Sequence, residues 1–126
     1  MRSVGSKGRP YKRVEVEGFE VLVGRGDVEN DVLTFEIAAP ADFWLHVAGG
    51  TPGSHVVVRN PDVLEELPRA VLERAAELAA WHSKARAAGR VAVHVCRVAD
   101  VRKRRGLAPG EVELRRWQQV RVRARA

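Results

Sequence analysis

The sequence predicts an α+β domain, in which one long helix packs on one face of a mixed, mainly antiparallel sheet. Short runs with the alternating or β-branched pattern of strands occur before residue 60 and after residue 90. Between these runs, the side chains of one helical face recur at spacings of three and four: Leu64, Leu67, Val71, Ala75, Leu78 and His82. The length, 126 residues, fits a single domain.

The N-terminal segment is predicted to be a flexible basic arm over residues 1–13, followed by the domain at 14–126. Residues 1–10 are rich in Gly, Ser and basic residues. Two strand patterns, at 12–16 and 19–23, flank the turn signal Glu17-Gly18, which predicts a hairpin. After a break at residues 24–27, Asn30 or Asp31 is placed to cap a short helix ending before Pro40, although the same residues also permit a strand.

A glycine-rich loop separates the next two predicted strands. Residues 42–47 contain strong β formers, and residues 55–59 contain three consecutive valines, typical of a strand covered on both faces. Because Pro52-Gly53 fits a type II turn, we expect Gly53 to adopt the left-handed conformation that this turn requires. The turn is then expected to aim His46 and His55 at a common site.

The helix is expected to start with a turn capped by Asp62 and to continue from Pro68. Lys84 and Arg86 would lie in its last turn, and Gly89 would follow its end. Further strand patterns occupy residues 91–101, 112–114 and 120–122, with a basic loop at 103–110.

Composition excludes several classes of protein. No run approaches the ~18 uncharged apolar residues of a membrane span, and the N-terminus lacks the apolar segment of a secretory signal. Cys96 is the single cysteine, which excludes an internal disulfide and a cysteine-based zinc site. A cytoplasmic location is therefore expected.

The charge is distributed unevenly along the chain. Residues 1–13 carry +5, residues 14–96 carry −6 and residues 97–126 carry +7, which sums to the net charge of +6. If the two ends meet in space, they form one basic face that attracts nucleic-acid phosphates through counterion release. Because arginines outnumber lysines 18 to 4, the codon bias of a GC-rich genome is the alternative explanation.

Candidate RNA contacts are cations, aromatic residues and polar residues near the glycine-rich loop and in the basic segments. They are Arg25, Trp44, His46, Ser54, His55, Arg59, Lys84, Arg86, Arg102, Lys103, Arg104 and Arg105. Aromatic rings beside basic groups stack on and clamp unpaired bases. Trp44 lies in an apolar strand and is equally well placed to be a core residue.

An enzymatic alternative uses some of the same residues. Asp42, His46, Ser54 and His55 could build an RNA-processing or RNA-modifying site if their side chains converge in a pocket. Side chains spent on hydrogen bonds to the loop would instead favour a binding module. The four histidines show neither an HExxH pattern nor a cysteine partner, so we expect no metal and no cofactor.

Several short motifs occur in the order found in one known family. They are Val23-Gly24-Arg25, Glu29-Asn30-Asp31, Leu33-Thr34, Asp42-Phe43-Trp44-Leu45-His46, Pro52-Gly53-Ser54-His55-Val56-Val57, Ser83-Lys84-Ala85-Arg86, Arg102-Lys103, Gly106 and Pro109-Gly110. Over about residues 14–124 the chain resembles the NFACT-R domain of the RqcH and NEMF proteins of ribosome-associated quality control.

The resemblance implies an RNA-binding module for structured RNA such as tRNA or rRNA, linked to ribosome-associated quality control or translation. It makes the large ribosomal subunit a candidate partner and implies neither a membrane nor a preference for DNA. The larger family members also carry an N-terminal domain, a helix–hairpin–helix segment and a coiled coil. We expect this chain to be a stand-alone form, to which the tailing activity of those members does not carry over.

Overall fold

A six-stranded antiparallel sheet is the centre of the computed structural model, which describes residues 8–126 and confirms the α+β class. In chain order the strands of this sheet are β1 (Tyr11–Val16), β2 (Phe19–Gly24), β3 (Phe43–Val47), β4 (Val56–Val58), β5 (Arg90–Arg97) and β8 (Gln118–Arg123). Two short strands, β6 (Val101–Arg102) and β7 (Glu113–Leu114), form a separate antiparallel pair. The predicted β1–β2 hairpin is confirmed, with Glu17 and Gly18 at positive φ in its turn.

The spatial order of the sheet is β1-β2-β4-β3-β5-β8, which places the first and last strands at opposite edges. The basic residues of β1 and β8 are therefore separated by the sheet, whereas the basic loop at 103–110 extends to Asp31, with which Lys103 pairs. Strand β1 begins at Tyr11, inside the segment predicted as an arm, because its ladder with β2 extends to the Tyr11–Gly24 pair. Residues 1–7 of that predicted arm lie outside the described residues.

The first face of the sheet packs on α2 (Arg69–Trp81). Alternate residues of the central strands point to this face. Among them, Val56 and Val58 of β4 pack in one core with Val71, Ala75 and Leu78 of the helix. Burying this continuous apolar layer is the main stabilisation of the fold.

The helix α2 is shorter than the periodicity predicts. Pro68 is its N-cap residue and His82 its C-cap residue, so the segment from Asp62 precedes it and Lys84 and Arg86 follow it. The chain leaves the helix because Lys84 donates its backbone N–H to Pro52 O at 2.9 Å, a long-range contact that no local periodicity shows. Gly89, at φ +84, starts the turn into β5 and does not end the helix.

The second face of the sheet is covered on one half only. A short helix, α1 (Asp27–Val32), continues as a π-helix (Leu33–Ile37) and packs with β6 and β7 over Trp44, Val57 and Leu22. The helical alternative for this segment is confirmed, but the predicted cap at Asn30 or Asp31 is wrong. Gly26 is the N-cap residue, and Asn30 lies inside the helix, where it is buried.

The other half of the second face, over β5 and β8, is open. Because Val120 and Val122 of β8 face the α2 core, Gln119 and Arg121 point to the second face. The register sets His46, His94 and Gln119 side by side across three strands. Among the described residues, no helix is long and apolar enough to cross a membrane.

Candidate nucleic-acid interface

The uncovered half of the second face forms a groove of about 680 Å³, here called the open groove. Its walls are residues 49–53 and 107–112, and its floor includes His46, His94 and Trp117. A volume of this size is typical of sites that hold a small ligand or part of a larger one.

Two groups of aromatic rings lie beneath and within the open groove. The indole of Trp117, 49% exposed, lies 5.5 Å from the ring of His94 between centroids, at an angle of 46°. The ring of His46 stacks on Trp44 at 5.8 Å and meets His55 edge-on at 5.6 Å. The prediction that His46 and His55 meet at one site is thus confirmed, although Trp44 and His55 lie below the surface.

A hydrogen-bonded chain fixes the buried rings. The Trp44 Nε1–H donates to Thr34 Oγ1 at 3.2 Å, and Thr34 Oγ1 lies 2.8 Å from His55 Nδ1. His55 Nε2 lies 3.0 Å from Gly110 O, which can only accept. Nε2 therefore carries the proton, and the Thr34 hydroxyl donates to Nδ1.

This pattern matches a neutral imidazole. Burial and, to a smaller extent, the nearby His46 lower the pKa of His55 to about 4, against a raising effect of the Gly110 carbonyl. Burial also lowers the pKa of His46. Neither ring is therefore charged at neutral pH, and both act through hydrogen bonds and ring faces.

Two sets of polar contacts, at Gly110 and at Lys103, hold the second wall of the open groove in place. Gly110 accepts the hydrogen bond from His55, and its φ of +85 favours glycine. The Lys103 ammonium pairs with Asp31 at 3.1 Å and donates to the carbonyl oxygens of Ala108 and Glu111. Lys103 is predicted above as an RNA contact, but these three partners make it the residue that closes the loop onto α1.

The first wall contains the glycine that the sequence singles out. Gly49 and Gly50 have positive φ, whereas Gly53 does not, so the predicted left-handed turn at Gly53 is wrong. Gly53 is needed for close approach instead. A Cβ there would lie 2.8 Å from Ser83 Cβ and 3.3 Å from Val47 Cγ2.

The carbonyl of Gly53 is the anchor of the same wall. It accepts from His46 Nε2 at 3.2 Å and from Asn30 Nδ2 at 3.3 Å. The Ser54 hydroxyl donates to Gly24 O at 2.7 Å. These side chains are thus used to hold the loop, the arrangement that favours a binding module.

Gly53→Ala is expected to push the wall away from Ser83 and to lower the free energy of unfolding by about 1–3 kcal/mol, as overpacking does. Chemical denaturation of the variant measures this loss. Gly50→Ala is the matched control for the neighbouring position, since a Cβ there meets nothing within 4 Å and only the strain of its positive φ remains, about 1 kcal/mol. A loss at Gly53 no greater than at Gly50 would contradict the steric argument.

The four residues of the enzymatic alternative do not converge. Asp42 lies at the start of β3, where its carboxylate accepts from the N–H groups of Ala39 and Asn60 and pairs with Arg59 at 2.8 Å. This pairing also shows that Arg59, predicted as an RNA contact, holds a buried carboxylate. Within residues 8–126, no group of three or more His, Cys, Asp or Glu side chains is placed to hold a metal ion.

The remaining predicted RNA contacts include both buried and exposed side chains. Trp44 and His55 are 2% and 1% exposed, so as placed they support the site from below and cannot touch RNA. Arg104 pairs with Glu113 at 2.9 Å, and the Arg86 guanidinium lies 4.2 Å above the Trp81 ring. Five predicted cations are exposed and have no ion pair within the described residues: Arg25, Lys84, Arg86, Arg102 and Arg105.

A second, shallower cleft lies on the outer side of the first wall. Arg25, Lys84 and Arg86 line it, together with Gly53 and Ser83. The cleft therefore places predicted cations of two distant segments together.

Sequence reasoning missed several residues of the site. Asn30 and Thr34 occur in the family motifs, but the sequence does not show their roles, because their partners lie far along the chain. Trp117 does have a signal, since Arg115 and Arg116 precede it directly. His94 is recognisable only once β3 and β5 are paired.

Comparison with known proteins matches residues 9–116 to the family model described as the NFACT protein RNA binding domain. The Rqc2 homolog RqcH of Bacillus subtilis is 38% identical over 111 residues, which cover 84% of this chain and 19% of that protein. The protein of the same name from Streptococcus suis is 36% identical over 121 residues, covering 94% and 21%. The chain thus spans about a fifth of the length of these curated relatives.

A solved structure shows the same architecture. It is the C-terminal part of the fibronectin/fibrinogen-binding protein from Streptococcus suis, with a TM-score of 0.83 and 34% identity. The match covers 93% of this chain and 46% of that one.

Proposed function

The chain belongs to the family of NFACT RNA-binding domains, and we propose that it holds structured RNA, tRNA or rRNA, at the open groove. The observation that carries this proposal is the uncovered half of the second face, where the exposed ring of Trp117 and the half-buried rings of His46 and His94 lie between two loops. Rings supply stacking surfaces for bases, and cations supply contacts to phosphates.

The charges beside the open groove support the same proposal. Arg102 is the last residue of β6, Arg105 lies on the loop that leads into the second wall, and Arg115 and Arg116 directly precede Trp117 in the chain. All four side chains are exposed. Cations that are exposed and unpaired can exchange their counterions for RNA phosphates, which gives affinity without sequence preference.

The names of the relatives support a proposal for the partner of this domain. Two of them carry the name Rqc2 homolog RqcH, and the family belongs to ribosome-associated quality control. We therefore propose the large ribosomal subunit, or the tRNA bound to it, as the cytoplasmic partner. Because the chain spans about a fifth of those proteins, our proposal covers binding alone.

Replacing Arg102 and Arg105 by Gln is expected to weaken RNA binding and to reduce its salt dependence. Each lost phosphate contact should lower the slope of log affinity against log salt by about 0.7–0.9. Fluorescence anisotropy with total tRNA and with a fragment of large-subunit rRNA, at several salt concentrations, measures both quantities.

Arg69→Gln is the matched control, since Arg69 is an exposed arginine on α2 that pairs with Glu73. We expect its salt slope to equal that of the unmodified protein. An Arg102→Gln, Arg105→Gln variant with an unchanged slope would remove the basic loop from the interface. Absence of binding to both RNAs by the unmodified protein would refute the proposed function itself.

A further inference from the structure

Trp117 is the indole that the fold leaves available. Trp44 is buried, and the ring of Trp81 is covered by the Arg86 guanidinium at 4.2 Å. Trp117 remains 49% exposed, with its position fixed against His94. A large aromatic side chain held at the surface but not buried is available to stack with a ligand.

Hydrogen-bonding groups lie beside this indole. His46 and His94 are neighbours across the β3–β5 ladder, and both line the open groove. The first wall includes Gly49 and Gly50, which are exposed and carry no side chain, so their backbone groups are accessible. The floor therefore combines one stacking surface with polar groups that can meet the edge of a base.

The shape of the site selects the form of nucleic acid that can use it. The open groove lies between two loops, and its rings lie on the floor. A base inside a duplex has both faces stacked and its pairing edge occupied, so it cannot present a face to Trp117. An unpaired base has both its faces and its edge free.

We propose that the open groove receives one unpaired RNA base, which stacks on Trp117 beside His94. The proposal rests on the proposed function and specifies which part of a structured RNA the domain takes. Arg115 and Arg116, the exposed arginines that directly precede Trp117, then neutralise the phosphates next to the inserted nucleotide. The chemistry selects a loop, bulge or end of a folded RNA over its helical stem.

The test uses three RNA probes: a hairpin with an unpaired apical loop, the blunt duplex of the same stem, and the hairpin with abasic residues in the loop. Trp117→Ala is expected to weaken binding of the first hairpin by about 5- to 100-fold, the value of one stacked base. It should change binding of the duplex by less than about twofold, since the phosphate contacts remain. Trp117→Phe should retain most of the affinity, because it keeps a ring.

Trp81→Phe is the control for a general effect of changing an indole, and we expect no change with any probe. Because Trp117 is exposed, circular dichroism should show Trp117→Ala folded like the unmodified protein. An equal loss of affinity for hairpin and duplex would overturn the proposal, as would unchanged binding of the hairpin or equal affinity of the unmodified protein for the abasic probe. If the protein bound hairpin and duplex equally and through its arginines, the proposed function would stand and the proposal of an unpaired base would be refuted. If it bound neither RNA, both proposals would be refuted.

Discussion

Gly24→Ala is expected to lower the free energy of unfolding by about 3–5 kcal/mol, a large share of the about 5–15 kcal/mol that stabilises a domain. A Cβ at Gly24 would lie 1.9 Å from Asn30 Oδ1. Asn30 cannot simply turn away, because its Oδ1 accepts from the His55 backbone N–H at 3.1 Å and its Nδ2 donates to Gly53 O. The added methyl group therefore breaks both hydrogen bonds of a buried amide.

A double-mutant cycle separates this explanation from a general intolerance of Gly24. Asn30→Ala alone should cost about 2–4 kcal/mol, because it leaves the His55 N–H unpaired and creates a small cavity. With that space free, the added Gly24→Ala should cost little, so the coupling should approach the about 3–5 kcal/mol that Gly24→Ala costs alone. Urea denaturation of the three variants measures the coupling.

The control is Gly26→Ala, two residues further along the chain. Its Cβ would meet only the far end of the Glu29 side chain, at 2.7 Å, and this side chain can move. The expected loss is less than about 1 kcal/mol, the cost of alanine at an N-cap position. Additive losses for Gly24→Ala and Asn30→Ala would show that the close approach is not the cause.

The strands around the glycine-rich loop show what the sequence predicts well. Three consecutive valines in β4 predict a strand covered on both faces, and Val57 indeed packs on the Trp44 side while Val56 and Val58 pack on α2. A period of two is a local property that sheet pairing preserves. The same is true of the β1–β2 hairpin, whose turn residues are adjacent.

The ends of the helices show what the sequence predicts poorly. The periodic face predicts α2 but also extends it through Lys84, which leaves the helix to bond with Pro52. Asn30 has the residue type of a cap, yet it serves as a buried bridge between Gly53 and His55. In both cases the local conformation depends on a partner more than twenty residues away, which the local sequence pattern does not indicate.

The candidate site was predictable by residue type more than by role. Charge and aromatic composition identify the loop at residues 102–105 and the region around His46, but cannot tell a contact from a support. Lys103 forms an ion pair with Asp31 and donates to two carbonyl groups. Both ring nitrogens of His55 form hydrogen bonds within the protein. Their roles follow from the position of α1, whose contacts with the loop at 103–111 are long-range.

The buried residues that hold the walls of the open groove also stabilise the fold, so RNA binding and stability depend on the same contacts. The second wall of the open groove is held by Gly110 on His55, and the first wall by Gly53 on His46 and Asn30. Both walls therefore depend on one buried cluster, so a change that charges or unpairs that cluster loosens both. Protonation of His55 is such a change.

Between pH 6.5 and pH 4 the protein is expected to lose about 3 kcal/mol of its free energy of unfolding through His55 alone. Burial lowers the pKa of His55 to about 4 in the folded state, against about 6.5 in the unfolded chain. As the pH falls through this window, the unfolded chain binds a proton that the folded state excludes, so stability decreases. Above pH 6.5 both states are neutral and below pH 4 both are charged, so the contribution changes only in between.

The structural reason is the direction of one hydrogen bond. A protonated His55 carries hydrogen on Nδ1 as well as on Nε2, so the Thr34 hydroxyl must accept from it and loses the acceptor for its own proton. Denaturation at several pH values measures the slope for the unmodified protein and for His55→Gln, which keeps an N–H for Gly110 but does not titrate. Because burial also lowers the pKa of His46, part of the slope should remain in the variant, and the difference between the two slopes belongs to His55. Identical slopes from pH 6.5 to 4, or an NMR titration of His55 in the folded protein near its ordinary pKa, would show that the imidazole is not held neutral by this cluster.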